Sequence, residues 1–396
     1  MNIVAPEEVG FSSERLKRID AAMQRYVDQK KVAGIVTLVA RRGKVVHYEK
    51  FGYQDMATSK PMELDTIFRI YSMTKPITSV AFMMLFEQGL VRLTDPVTNF
   101  IPEFGKVKVL VGEDELTDLE REITIHDLLR HTAGLSYGGY KETHDPIDKL
   151  YDQVDLWEPG ITSQEMVRRL TELPLAFQPG QGWRYSVATD VVGYLVELIS
   201  GMSLAEFFAE RILQPLGMED TAFSVSPDKR HRFATLYGKT EQGDLEVIDT
   251  ATGGDYFNVS FYPGGHGLVS TAADYLRFAQ LILNKGELDG VRLLGPKTVE
   301  LMTTNHLPPD LLPIAMSGEE MPGIGFGLGF SVMMDVALSG WMGSVGLHAW
   351  GGWASTHFWV DPQEQLIGIL MLQYIPSDAY PIKNDFRTLV YQALIE

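Results

Sequence analysis

A serine and a lysine three positions apart are the residues of this sequence best suited to chemistry. They form the segment Ser72-Met73-Thr74-Lys75, which Pro76 follows. A serine hydroxyl is a weak nucleophile until a neighbouring base removes its proton. Residues three apart on a helix share one face, so the lysine amine can reach the hydroxyl. Because proline is tolerated in a first helical turn but not in a helix interior, a helix is predicted to begin close to Ser72. The pair indicates nucleophilic catalysis of the Ser-x-x-Lys kind.

A short motif of this kind needs support from its surroundings. A four-residue motif with only two fixed positions is expected to occur about once by chance in a chain of this length. A second copy does occur at Ser226 and Lys229, but it lies in a polar stretch with Pro227 inside it. That copy predicts a turn or a helix cap. The first copy instead precedes a long apolar stretch, residues 77–90, which predicts a buried helix. We therefore assign the chemistry to Ser72 and Lys75.

Composition excludes several classes of function. The 396 residues carry a net charge of −18, which argues against nucleic acid or an anionic membrane as partner. The absence of cysteine rules out disulfides, thiolate metal sites and a cysteine nucleophile. No secretory signal is apparent, and no apolar run approaches the roughly 18 residues of a membrane span. We expect a soluble, cytoplasmic protein that acts on a small molecule, and the sequence leaves its oligomeric state open.

The chain has strand patterns at both ends and helical patterns between them. Residues 11–30 predict an amphipathic helix that opens at Ser12 or Ser13, and residues 34–50 predict a β-hairpin. The C-terminal part predicts strands over residues 327–334, 347–350, 356–360 and 366–372, and a last helix over 382–395. This order predicts an α/β domain from residues 1–70 and about 325–396, with a mainly helical region over about 71–324. The fold class is therefore α/β plus all-α.

Tyr185 is the candidate to carry a proton for the leaving group. It follows a loop rich in glycine and proline and precedes a helix predicted from Val191 to Ser200, which would present its side chain in a cleft. A phenol has a pKa near 10 in water, so it needs a neighbouring ammonium, which Lys75 could supply. A core tyrosine with its hydroxyl bound to backbone is an equally good interpretation of the spacing.

A glycine pair near the C-terminus is the candidate substrate edge. It lies in Trp350-Gly351-Gly352-Trp353, beside a predicted strand. Glycines allow close backbone approach, which an oxyanion hole or a substrate-binding edge requires. The backbone amides of Ser72 and Trp353 are predicted to form that oxyanion hole. A β-bulge with packed tryptophans is an alternative that the local pattern does not exclude.

Two further patterns are predicted not to be catalytic. Ser136 lies in a Gly-x-Ser-x-Gly match, but the preceding segment is helical in pattern, whereas a nucleophile elbow needs a strand there. His126 and His131 are five apart and point to different sides of a helix, so they do not form a metal site. We expect neither a metal nor another cofactor.

Taken in order along the chain, Ser72 and Lys75, Tyr185 and the Trp350-Gly351-Gly352 element resemble the serine β-lactamase and penicillin-binding-protein superfamily. The stretches at residues 125–135, 213–218 and 267–274 are similar to that superfamily too, so the resemblance covers nearly the whole chain. It implies a β-lactamase-like fold, an antiparallel sheet flanked by helices with a helical domain inserted between the chain ends. It also places the active site between the two parts.

Departures from that family narrow the expected activity. Class C β-lactamases carry Tyr-x-Asn and Lys-Thr-Gly, where this chain has Val187 and Trp350-Gly351-Gly352. The missing amide and cation are groups that bind a lactam, so the chain most resembles the family VIII carboxylesterases.

That resemblance implies hydrolysis of short-chain carboxylic esters, with Ser72 as nucleophile and with Lys75 and Tyr185 sharing acid and base work. Trp350, Gly351 and Gly352 would form the substrate wall, and His266 would reach the cleft. Acyl transfer, weak β-lactamase or D-amino-acid peptidase activity, and a penicillin sensor remain alternatives.

Overall fold

The computed structural model describes residues 3–139, 145–158, 160–250, 261–316 and 318–396, together with residues 254, 256, 257 and 259. Its strands are β1 (Gly34–Arg41), β2 (Lys44–Asp55), β3 (Lys60–Pro61), β4 (Phe68–Arg69), β5 (Val109–Val111), β6 (Glu115–Thr117), β7 (Leu236–Lys239), β8 (Leu245–Asp249), β9 (Val269–Ser270), β10 (Glu287–Leu288), β11 (Val291–Arg292), β12 (Ile314–Met316), β13 (Glu319–Met321), β14 (Ile324–Phe326), β15 (Ser331–Met333), β16 (His348–Gly351), β17 (His357–Asp361) and β18 (Leu366–Leu372).

The helices are distributed along the whole chain. They are α1 (Ser13–Asp28), α2 (Thr74–Glu87), α3 (Ile125–Leu129), α4 (Pro146–Tyr151), α5 (Ser163–Leu170), α6 (Ala188–Ser200), α7 (Leu204–Phe208), α8 (Ala272–Leu283), α9 (Pro296–Met302), α10 (Val336–Ser339) and α11 (Ile382–Tyr391). A π-helical turn, Ala209–Leu213, continues α7.

An eight-stranded antiparallel sheet takes its strands from both ends of the chain. Its order is β14-β15-β16-β17-β18-β1-β2-β3. β1 lies between β18 and β2, and the pairing of Ile35 with Leu372 fixes the register of the two chain ends. The predicted antiparallel sheet between the chain ends is therefore confirmed. The division into domains at residues 1–70, about 71–324 and about 325–396 stays a prediction.

Helices cover both faces of this sheet. Neighbouring residues of β17 point to opposite faces, because Phe358 packs on Tyr275 of α8 while Trp359 packs on Phe386 of α11. α1 lies beside α11 on that second face. All residues of β1 and β18 are buried, as expected of central strands covered on both sides.

Local sequence explains where α1 and α2 begin. Ser12 caps α1 by accepting a hydrogen bond from the Arg15 amide, as its position predicts. Pro76 lies in the first turn of α2, where its missing amide costs nothing. α2 is apolar on nearly every side and packs against α6, so the predicted buried helix is confirmed.

Two sequence predictions about elements were wrong in detail. The strand predicted over residues 327–334 is a turn, residues 327–330, followed by β15, the second strand of the β14–β15 hairpin. Glycines cause the turn, since Gly329 has φ +93° and a side chain at Gly327 would collide with the Met302 carbonyl. The last helix ends at Tyr391 rather than near residue 395. The mainly helical middle also contains two-stranded ribbons, such as β7 with β8, that the sequence analysis did not predict.

Within the described ranges, no single helix has the length and apolar character to cross a membrane. One pair, Ala188–Ser200 with Leu204–Leu213, reaches that length and composition only in combination, across a bend of 83°.

Candidate active site

Ser72 lies in one 3₁₀ turn, Tyr71–Met73, directly before α2. Tyr71 has φ +42°, a backbone conformation that a residue with a side chain seldom adopts. Two hydrogen bonds hold the turn, from the Met73 amide to the Ile70 carbonyl (3.0 Å) and from the Tyr275 hydroxyl to the Met73 carbonyl (2.8 Å). Buried partners therefore fix a strained turn, as often found at functional sites, and Ser72 lines a cavity there.

Lys75 lies one turn further on and is fully buried. Its Nζ atom is 3.3 Å from Ser72 Oγ, 2.8 Å from the Tyr137 hydroxyl and 2.8 Å from the Gly265 carbonyl oxygen. An unprotonated amine has two N–H bonds and one lone pair. If the N–H bonds go to Gly265 and Tyr137, the lone pair faces Ser72. This geometry suits a base that removes the serine proton.

Burial favours that unprotonated form. Desolvation lowers the pKa of Lys75 to about 7, although the nearby Asp190 carboxylate acts in the opposite direction. A pKa near neutrality is what a general base needs to work at physiological pH.

Tyr137 is a site residue that the sequence did not predict. Its hydroxyl contacts Lys75 Nζ and lies 3.4 Å from Asp190 Oδ2, within one network. The sequence signal was present, because Tyr137 is the fourth residue of the Gly134–Gly138 segment. As a possible nucleophile elbow, that segment points to Ser136 as the functional residue, and the pattern assigns no role to Tyr137.

Asp190 of α6 anchors the far side of this network. It is buried, and its Oδ1 accepts the Gly265 amide at 2.8 Å, which holds the Gly265 carbonyl beside Lys75. Gly265 must be glycine, since a Cβ atom there would lie 2.4 Å from Asp190 Oδ2. His266 lies 3.6 Å from Asp190 and packs edge-on against Trp157, so it reaches the cavity as the sequence suggested.

Tyr185 lies beside Tyr137, with the two ring centres 5.5 Å apart. The Nζ atom of Lys75 is 4.6 Å from the centre of the Tyr185 ring, and the Tyr185 hydroxyl is 3.4 Å from Nε1 of Trp350. Tyr185 lines the cavity, so the sequence prediction of its location in the cleft is confirmed. Its part in proton transfer stays a prediction, and the structure adds Tyr137 as a second phenol beside the amine.

The glycine pair forms the edge of the site. Gly351 ends β16, and Gly352 passes so close to the 3₁₀ turn of Ser72 that a Cβ atom would lie 2.4 Å from the Ile70 carbonyl. The predicted close backbone approach is therefore confirmed. Pairing of β16 with β17 runs from His348 to Gly351 without a register shift, so the β-bulge alternative is wrong. Trp353, half exposed, packs edge-on against Tyr71.

The cavity has a volume of about 1050 Å³. Its walls beside Ser72 are largely aromatic, formed by Tyr71, Tyr137, Trp157, Tyr185, Trp350 and Trp353. The β12–β13 hairpin contributes Met316 and Met321, so part of the loop between α9 and β14 borders the cavity. A largely aromatic wall suits an uncharged acyl group.

The segments set aside from the sequence do have structural roles. Ser136 is buried and donates a hydrogen bond to Asp148, which also pairs with Arg184. Lys229 pairs with Asp220 rather than with Ser226. The second Ser-x-x-Lys copy is therefore the turn that its composition predicts.

His126 of α3 and His131, which follows that helix, also lie apart. His126 Nε2 is 2.8 Å from His306 Nδ1, whereas His131 packs against Tyr185 and Phe326. Within the described ranges, no three His, Cys, Asp or Glu side chains are grouped to hold a metal ion.

Comparison with known proteins agrees with this geometry. The family model described as Beta-lactamase matches residues 19–392, so the chain belongs to that family. Protein Rv1367c of Mycobacterium tuberculosis is 38% identical over 365 residues, which are 90% of each chain. Esterase EstB of Burkholderia gladioli is 32% identical over 400 residues, 94% of each chain.

A solved structure extends the similarity to three dimensions. It is EstCE1, described as a hydrolase with promiscuous acyltransferase activity. The two structures superpose with a TM-score of 0.82 at 28% identity, over 96% of this chain and 99% of the other. The β-lactamase-like fold is therefore confirmed, and with it the prediction of a serine hydrolase.

Proposed function

We propose that this protein is a serine carboxylesterase that hydrolyses short-chain carboxylic esters through an acyl-enzyme on Ser72. The observation that carries the proposal is the contact between Ser72 Oγ and a buried Lys75 amine whose pKa is near neutrality. The esterase relatives support the same reading of the site.

In the first step, Lys75 takes the proton from Ser72 Oγ, which attacks the ester carbonyl carbon. The resulting oxyanion would accept hydrogen bonds from the Ser72 and Trp353 amides. Gly352 supports this assignment, because its missing side chain lets the Trp353 segment approach the nucleophile turn. Collapse of the intermediate breaks the bond to the alcohol oxygen and leaves the acyl group on Ser72.

The leaving alcohol must receive a proton as that bond breaks. The lysine ammonium formed in the first step contacts the Tyr137 hydroxyl, so the proton can pass through Tyr137. Tyr185, whose ring packs against Tyr137, is the carrier predicted from the sequence. Water then attacks the acyl-enzyme by the same steps, with Lys75 again as base.

The lining of the site favours esters over lactams. Val187 is fully buried, so its position offers no amide to a substrate. Trp350 presents an indole where class C β-lactamases present a lysine, according to the resemblance. We therefore expect weak lactam hydrolysis at most, and no D-amino-acid peptidase activity of similar rate.

Acyl transfer to an alcohol other than water is the second candidate. Its support is the similarity to EstCE1, whose description includes acyltransferase activity. The same acyl-enzyme serves both reactions, and the outcome depends on which acceptor reaches Ser72.

Cytoplasmic location stays a prediction.

One experiment separates these functions. Purified protein is given p-nitrophenyl butyrate with and without added short alcohols, and a chromogenic cephalosporin in parallel. A carboxylesterase releases mainly butyrate and turns over the cephalosporin slowly. Butyrate esters of the added alcohol as the main product would instead assign acyl transfer, and cephalosporin turnover faster than ester turnover would contradict the proposal.

A further inference from the structure

The cavity does not end at Ser72. It passes the edge of β16 and continues on the face of the sheet that α11 covers, where Trp341, Ala349 and Arg387 line it. The passage exists because β15 pairs with β16 only at His348 and Ala349. The last residues of β16 therefore have no strand partner in β15.

Arg387 of α11 is a buried cation at this far end. Only 4% of the residue is exposed, and its guanidinium lies over the rings of Trp341 (5.0 Å) and Trp359 (5.3 Å). Nη2 is 3.2 Å from Nε2 of His357. Within the described ranges, Nη1 is buried and has no hydrogen-bond partner. One edge of the guanidinium is therefore unsatisfied.

Among the described residues, no carboxylate is hydrogen-bonded to the Arg387 guanidinium. The Asp361 carboxylate attracts the guanidinium but accepts hydrogen bonds from the Tyr391 hydroxyl (2.7 Å) and from the amides of Gln363 (3.1 Å) and Glu364 (3.3 Å). Burial holds the pKa of His357 well below its usual range, and the positive charge of Arg387 lowers it further, so that ring is neutral.

The second cation of α11 is already paired. Lys383 lies 2.6 Å from Asp378, an ion pair with no net charge. Burial lowers the pKa of Arg387 to about 10, which leaves it charged at neutral pH. A buried charge without a paired counter-ion is costly, and a carboxylate is the ligand whose geometry matches a guanidinium.

We propose that Arg387 is a binding site for a free carboxylate on the acyl part of the substrate, so the preferred esters are half-esters of dicarboxylic acids. This inference rests on the proposed function. The acyl part is assigned because the leaving oxygen must face Lys75 and Tyr137. The acyl chain then leaves the reacting carbon toward Gly351 and the passage beyond it.

Paired substrates test the proposal. They are the mono-p-nitrophenyl esters of adipate, suberate and sebacate, each beside a neutral p-nitrophenyl ester of equal chain length. The quantity compared is kcat/KM for the carboxylate ester divided by kcat/KM for the neutral ester. For at least one chain length, Arg387→Met is expected to lower this ratio by about 10-fold or more. Arg387→Lys should fall between, because it keeps the charge. Arg168→Met, which removes an exposed arginine of α5, should keep the wild-type ratio.

A wild-type ratio at every chain length in Arg387→Met would overturn the proposal. A binding measurement keeps the subsite testable if neither ester is hydrolysed or if a variant does not fold. Octanoate and octanamide are titrated into wild-type protein while tryptophan fluorescence is followed, since Trp341 and Trp359 flank Arg387. Tighter binding of octanoate is expected, and equal affinities would contradict the subsite independently of catalysis.

Discussion

At the scale of single residues, the proposed mechanism depends on the protonation of Lys75. Its buried amine is a base only when neutral, and burial lowers its pKa to about 7. Below that pH the ammonium form dominates, so kcat/KM should fall about tenfold per pH unit as the pH decreases. Above it, kcat/KM should reach a plateau. Ester hydrolysis measured from pH 5 to 9 checks this, and a profile that is flat through pH 7 would exclude Lys75 as the base.

Two phenols border the same amine, and their variants separate their roles. Tyr137 contacts Lys75 Nζ, whereas the Tyr185 hydroxyl lies near Trp350. If Tyr137 relays the proton, Tyr137→Phe should lower kcat by about 10² with little change in Tm. A smaller loss is then expected for Tyr185→Phe. Equal activity of Tyr137→Phe and wild type would return the role to Tyr185.

At the scale of elements, the site depends on contact between two segments that are far apart in sequence. Gly352, after β16, lies against the Ile70 carbonyl just before the 3₁₀ turn of Ser72. Gly352→Ala should push these segments apart, lowering kcat/KM by about 10² and the free energy of unfolding by about 1–3 kcal/mol.

Gly105→Ala is the matched control for that change. Its new Cβ atom would meet only Thr98, at an ordinary contact distance of 3.4 Å, so activity should persist. The measurement is ester turnover together with thermal unfolding of both variants. Normal activity of Gly352→Ala would show that the close approach does not form the oxyanion hole.

At the scale of the whole molecule, Arg41 connects both chain ends to the sheet. Its buried guanidinium donates to the carbonyls of Val9 and Glu396 and pairs with the Glu364 carboxylate at 2.7 Å. Arg41→Met leaves these acceptors without their donor and should lower the free energy of unfolding by about 3 kcal/mol. Urea unfolding measures the loss, and KM for the ester should stay near the wild-type value. A variant as stable as wild type would show that this connection contributes little.

The sequence was informative where local rules decide the outcome. The helix at Ser72, the cap at Ser12 and the strands at both chain ends follow from spacing, capping and alternation. The turn at Gly329 was missed because its cause is not local. A side chain at Gly327 would collide with Met302 and one at Gly329 with Ser79, and both are distant in sequence. Tyr137 was missed because its segment was judged only as a nucleophile elbow, and Asp190 because no local pattern marks it. They become neighbours of Lys75 only after α6 and the Gly265 loop pack beside α2.

The central claim is a covalent acyl-enzyme on Ser72, and the mass of the intact protein tests it most directly. Wild-type protein and the variants Ser72→Ala, Lys75→Ala and Ser226→Ala are mixed briefly with p-nitrophenyl butyrate and acidified. Wild type and Ser226→Ala should gain the mass of one butyryl group, while the other two variants gain none and lose nearly all turnover. An adduct that persists on Ser72→Ala, or full turnover by that variant, would contradict the account.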